Sequence, residues 1–167
     1  MNKFYLTENS VVDVTSLCRQ NAEIKISVAQ QQFKRISDIT CGDEGLINVH
    51  LSFTKDNFDN VLLTKLSADL MFNCQRCLKS VKLNLTSKTD YLLVKSAPFK
   101  ERSNFEVIVV ENGNLHLHNL LEDELLLAVP HIVKHDNCDV PEFNNHLYEV
   151  LPNNQTNPFA VLAQLKN

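Results

Sequence analysis

The sequence predicts an α+β protein, a mostly antiparallel β-sheet with one buried helix near residues 119–129 and a C-terminal helix. Three observations lead there. Stretches around residues 47–53, 62–72 and 81–93 alternate apolar and polar side chains with period two, the mark of strands with one buried face. After residue 119 the apolar spacing changes to that of a helix. Near the last residues, Asn157-Pro158 opens a short apolar run, and Asn at the cap with Pro at the first helical position is a start signal.

Taken in order, Val11–Cys18 has too little pattern to choose between a strand and a helical turn. Glu23–Ala29 alternates around Ile24, Ile26 and Val28 and is expected as a strand, whereas Gln30–Gln32 and Ser37–Gly45 are expected as loop. Ile47, Val49, Leu51 and Phe53 share one face of the next strand, and Lys55–Asn60 is a polar turn. The even positions Leu62, Leu66, Ala68, Leu70 and Phe72 form a second face; the odd positions from Val81 to Leu93 form a third. The short Cys74–Ser80 connection makes the last two a hairpin. Phe105–Val110 is a fourth strand, and Asn112-Gly113 is a tight-turn signal. Leu115 and Leu117 alternate with His116 and His118, which are expected on the exposed side. Asn119 is expected to cap the helix, with Glu122, Asp123 and Glu124 in its first turn, where the helix dipole favours negative charge. Leu121, Leu125 and Ala128 line its face, Leu120, Leu126 and Leu127 widen it, and Pro130 ends it. The domain is therefore expected to span 1–138, followed by 139–167, an extended Asn/Pro-rich segment ending in a short docking helix with Phe159, Leu162 and Leu165 on one face.

Composition narrows the class. The chain has 167 residues, 44% apolar and 22% charged, as expected of a globular domain that buries its own core. No run reaches the roughly 18 apolar residues of a membrane span, and Met1–Ser10 has no apolar signal region, so a cytoplasmic protein is expected. In a reducing compartment the five cysteines are thiols or metal ligands rather than disulfides. The net charge of −4 argues against wholesale nucleic-acid binding, but it is uneven: −2 over residues 1–70, +5 over 71–102 and −7 over 103–167. The middle segment is the one candidate polyanion footprint, its alternative being solubilising charge on strand surfaces.

The sharpest motif is Cys74-x-x-Cys77. Two thiolates in a tight turn can hold two corners of a Zn²⁺ tetrahedron, and His135-x-x-Cys138 has the spacing for the other two. Free thiols are the plain alternative. A redox role fits less well, because the motif follows a strand rather than opening a helix, where a thiolate is stabilised. A metal bound through thiolates would support folding rather than catalysis. No GxSxG, Walker A or GxGxxG motif occurs, and without Trp a stacking platform for single-stranded RNA has little support.

Three blocks together resemble one family. They are Asn73–Cys77; Glu122–Pro130 followed by His135-Asp136 and Cys138; and Asn157–Lys166, read NPFAVLAQLK. Their order and spacing are similar to those of the proteobacterial YceD proteins, the large ribosomal RNA subunit accumulation proteins. The resemblance covers about residues 73–166. It implies a cytoplasmic role in the synthesis, processing or stability of large-subunit (23S) rRNA, with no catalytic residues to carry over. Some branches of the wider family have further cysteines in the C-terminal half, resembling a fuller zinc site, whereas this chain has Cys138 with His135 nearby.

The expected function is non-enzymatic binding in ribosome biogenesis, with large-subunit rRNA or its precursor, or a ribosomal protein or assembly factor, as partner, and neither membrane nor small-molecule substrate. Arg76, Lys79, Lys82 and Lys88 are the first candidates for phosphate contacts. Phe159, Leu162 and Leu165 are the candidates for packing on the body or on a protein partner. Two rivals stand beside this: an interaction module with no RNA contact, which the net charge favours, and a zinc-dependent nuclease or hydrolase, which needs an open metal position and a general base.

Overall fold

Residues 5–56, 59–96 and 104–140 are described in the computed structural model of the chain. The segment that did not choose between strand and helical turn contains both: β1 (Val11–Asp13) passes directly into α1 (Val14–Arg19). Asp13 causes the switch. Its carboxylate accepts from the amides of Thr15 (3.0 Å) and Ser16 (3.2 Å) and caps the helix. Strand β2 (Glu23–Ala29) has its expected bounds.

The next stretch corrects the expectation of a loop. Gln30–Gln32 is a 3₁₀ turn, and α2 (Lys34–Ile39) overlaps Ser37–Gly45. Fully buried Phe33 and Ile36 anchor it. The buried Gln30 amide closes the far end on Thr40 Oγ1 (2.5 Å) and the Gly42 carbonyl (2.9 Å). Packing, not local propensity, makes so short a helix.

The three alternating runs are β3 (Leu46–Asp56), β4 (Asp59–Asn73) and β5 (Ser80–Val94). They pair antiparallel in succession, β2 adds to β3, and β6 (Glu106–Val109) adds to β5 in parallel. The sheet order is β2-β3-β4-β5-β6. Period two divides it as the sequence requires. Ile47, Leu51, Leu62, Leu70, Val81 and Leu85 are buried on one face, and the polar residues between them are exposed or half-buried on the other.

Asn112 (φ 52°) and Gly113 (φ 76°) are both left-handed, as a type I′ turn demands, and lead into β7 (Asn114–His116), which pairs with β1. This pairing moves the helix start. Helix α3 (Leu117–Ala128) begins where the Leu117 amide donates to the Ser10 carbonyl (3.0 Å), so Asn119 lies inside the helix and is not its cap. His118, expected exposed, is buried. It stacks on Phe33 with ring centroids 4.9 Å apart, and its Nε2 meets the Gln32 carbonyl at 2.7 Å. Leu117, Leu121 and Leu125 are buried, each contributing about 1.5–3 kcal/mol. Leu127, expected to widen the apolar face, is 81% exposed.

The dipole account of the acidic trio also fails, because no acidic residue lies in the first turn of α3. Glu122 accepts from the Arg35 amide (2.7 Å), and Asp123 pairs with the Arg35 side chain. Glu124 accepts from Ser87 Oγ (2.5 Å), Thr89 Oγ1 (2.8 Å) and the Tyr91 hydroxyl. These carboxylates fasten α3 to α2 and β5. The expected C-terminal helix, with Phe159, Leu162 and Leu165, lies outside the described residues. No helix among the described residues is long and apolar enough to cross a membrane.

Candidate metal centre

Between β4 and β5 the chain must reverse, and it does so through Cys74–Lys79. The Leu78 amide donates to the Cys74 carbonyl (2.9 Å) and the Cys74 amide to the Lys79 carbonyl (2.8 Å). Closing so tightly puts Leu78 in the left-handed region at φ 62°. The same turn aims the amides of Arg76 (3.4 Å) and Cys77 (3.5 Å) at Cys74 Sγ.

The loop after α3 comes back against this turn. The Gln75 amide donates to the Val133 carbonyl (2.8 Å). Arg76 does more: Nη2 donates to the carbonyls of His135 (2.9 Å) and Asp136 (3.3 Å), and Nε to Cys138 Sγ (3.0 Å). The loop is thereby held with His135 and Cys138 facing the two hairpin cysteines.

The four donor atoms of Cys74, Cys77, His135 and Cys138 lie within 4.8 Å of one another. Cys74 Sγ and Cys138 Sγ are 3.7 Å apart, and Cys77 Sγ is 3.4 Å from His135 Nδ1. A zinc tetrahedron with bonds of about 2.3 Å to sulfur and 2.0–2.1 Å to nitrogen has S–S edges of about 3.8 Å and S–N edges of about 3.6 Å. Both spacings fit. The histidine tautomer fits as well. His135 Nε2 lies 3.1 Å from the Ser80 carbonyl, which can only accept, so Nε2 carries the proton and Nδ1 turns its lone pair to the cluster. Such an outer hydrogen bond is what metal-ligating histidines usually make.

Electrostatics favour a thiolate in the cluster. Burial raises the Cys74 thiol, but hydrogen bonds from the backbone of Cys77, His135 and Arg76 outweigh it and hold it well below the usual thiol range. Cys77 is lowered by the Lys79 backbone but raised by burial and by the Cys74 and Cys138 sulfurs, and its net shift is upward. Thiolate is the metal-binding form of cysteine. Arg76 supplies compensating positive charge against Cys138.

The four expected phosphate contacts fall in different surroundings. Arg76 is committed to the cluster, and Lys82 pairs with Asp69 at 2.9 Å. Lys79 is exposed on the turn and Lys88 on β5. Cys18 is buried away from the cluster, near the Val61 carbonyl, and Cys41 is half-buried. His116 and His131 are exposed. The roles of Ser80 and Arg76 in the cluster had no sequence signal, since each depends on where the loop after α3 lands.

Comparison with known proteins bears on the same residues. The family described as "Large ribosomal RNA subunit accumulation protein YceD" matches residues 62–166, which include both halves of the cluster. A relative from Haemophilus influenzae, also named large ribosomal RNA subunit accumulation protein YceD, is 31% identical over 149 residues, covering 83% of this chain and 84% of its own. No solved structure matches the chain. On the family match and the extent of this likeness, the chain belongs to the YceD family of large ribosomal RNA subunit accumulation proteins.

Proposed function

We propose that this protein promotes the accumulation of large-subunit (23S) rRNA in the cytoplasm, as a non-enzymatic binding factor whose Cys₃His cluster holds one structural zinc ion. The observation that carries the reading is family membership, with a relative named for that role along most of its length. The cluster supports a scaffold role. A zinc ion bound by four protein donors has no position left for an attacking water, which favours a structural centre over a nuclease or hydrolase. Lys79 and Lys88, with Lys82 and Arg76 beside them, are the phosphate contacts of this reading. Phe159, Leu162 and Leu165 are its contacts to a protein partner.

A second reading is favoured by charge. Residues 103–167 carry a net −7, which suits a basic ribosomal protein or assembly factor better than RNA. Partners captured on the tagged protein and surviving RNase would support it.

The primary test is the ratio of large- to small-subunit rRNA in cells lacking the gene, with and without the wild-type copy. A reduced ratio restored by the gene is expected. An unchanged ratio under both fast and cold growth would sink the proposed role.

A further inference from the structure

The face of the sheet opposite the helices carries an ordering that the sequence conceals. Register places Lys25 opposite His50, His50 opposite Lys65, and Lys65 opposite Lys88. Four basic side chains thus form one row across β2, β3, β4 and β5. With strands about 4.8 Å apart, the row spans about 14 Å. The adjacent row is Ser27, Asn48, Ser67 and Thr86, again in direct register. A row of three lysines and one histidine lies beside a row of short hydroxyl and amide side chains. Lys25, Ser27, Asn48, His50, Lys65 and Ser67 also border a shallow depression of about 470 Å³.

This arrangement does not serve stability. Like charges directly opposite across strands are destabilising, and Lys65 faces Lys88. Among the described residues, neither joins an ion pair. Elsewhere on the face, charge is neutralised locally. Glu23 lies 3.4 Å from Lys25 and 3.8 Å from His50, and Lys82 pairs with Asp69. Asp90, two residues from Lys88, is the remaining carboxylate near the row. The uncompensated cations are concentrated at Lys65 and Lys88, in a chain whose net charge is −4.

We infer that this open sheet face binds the sugar-phosphate backbone of RNA, with Lys65 and Lys88 as the central phosphate contacts, Lys25 extending the row, and Asn48, Ser67 and Thr86 donating hydrogen bonds alongside. The inference rests on the RNA-binding form of the proposed function and supplies its surface. The chemistry points to RNA backbone rather than to bases or a lipid surface. Lysines with Ser, Thr and Asn are the usual phosphate donors, whereas the two rows contain no Phe, Tyr or Trp for stacking and no apolar side chain for insertion.

The test uses the full chain, a labelled single-stranded uridine homopolymer of about 20 nucleotides and a large-subunit rRNA fragment, with anisotropy measured across a salt series. The paired Lys65→Glu/Lys88→Glu variant is compared with the neutral pair Lys65→Gln/Lys88→Gln and with a Lys34→Glu control on α2, away from this face. Each lost phosphate contact flattens the slope of log K against log salt by about 0.7 on single strands, so loss of two contacts weakens binding about 25-fold at 0.1 M salt and reduces the slope by about 1.4. Both paired variants should show this while retaining the wild-type circular dichroism spectrum and melting temperature; Lys34→Glu should not weaken binding. Wild-type RNA affinity in both pairs, or no RNA binding by the wild type at low salt, would overturn the inference. The cellular rRNA ratio separates the two claims: an intact RNA-binding surface in a protein whose loss leaves the ratio unchanged removes the proposed function but not the surface.

Discussion

Leu78 is a large apolar side chain, 71% exposed, at a backbone conformation suited to glycine. A left-handed non-glycine residue costs about 1–2 kcal/mol, offset in part when glycine replaces it because glycine loses more freedom on folding. Leu78→Gly is therefore expected to raise stability by up to about 1 kcal/mol in urea denaturation without altering the metal content. An unchanged or lowered midpoint would mean that Leu78 makes a contact outweighing its strain. The residue scale also shows what a sequence exposes and conceals. Cys74, Cys77, His135 and Cys138 were legible because thiol and imidazole at short spacing are chemically rare. The Lys65–Lys88 opposition was not, because it exists only once β4 and β5 are paired in one register.

At the scale of elements, α3 is held to β5 by a buried carboxylate. Glu124 accepts from three hydroxyls, and Tyr91 is pushed well above the usual tyrosine range by burial and then by Glu124. The unfolded tyrosine releases its proton near pH 10, before the folded one does. Below that pH the contribution is fully present; as pH rises through it, the unfolded state gains and stability falls. Tyr91→Phe should cost about 1 kcal/mol at neutral pH, from the lost hydrogen bond, and should decline less than wild type between pH 9 and 11. A constant difference between the two stability curves would exclude this linkage. The helix itself was legible from its leucine spacing, but its first turn was not. The β1–β7 pairing fixed the start at Leu117 and turned His118 inward, and the acidic trio faced an amide, a guanidinium and three hydroxyls supplied by distant elements. The strands β3, β4 and β5 were legible because each has one wet and one dry face. The parallel direction of β6 was not, since four residues of alternation carry no direction.

For the molecule as a whole, the cluster joins chain positions 58 residues apart at Cys77 and His135. A cross-link closing a loop of that length restricts the unfolded chain by about 4 kcal/mol in the chain-entropy account. Protein purified under reducing conditions should carry about one zinc per chain by elemental analysis, and a strong chelator should lower its melting temperature. Well under one zinc, with the same melting curve in chelator, would remove the metal from the account of stability. Cys138→Ser should reproduce the chelator effect and respond no further to chelation.

The division of the donors between a hairpin and a loop far downstream has a consequence for biosynthesis. A nascent chain emerging from its N-terminus presents Cys74 and Cys77 early, but the other two donors only after every strand of the sheet and all of α3 have been made. Two thiolates alone are half a site. Tight capture of the proposed zinc would therefore wait for the far end of the domain, and the ion would act as a latch that closes on a finished body.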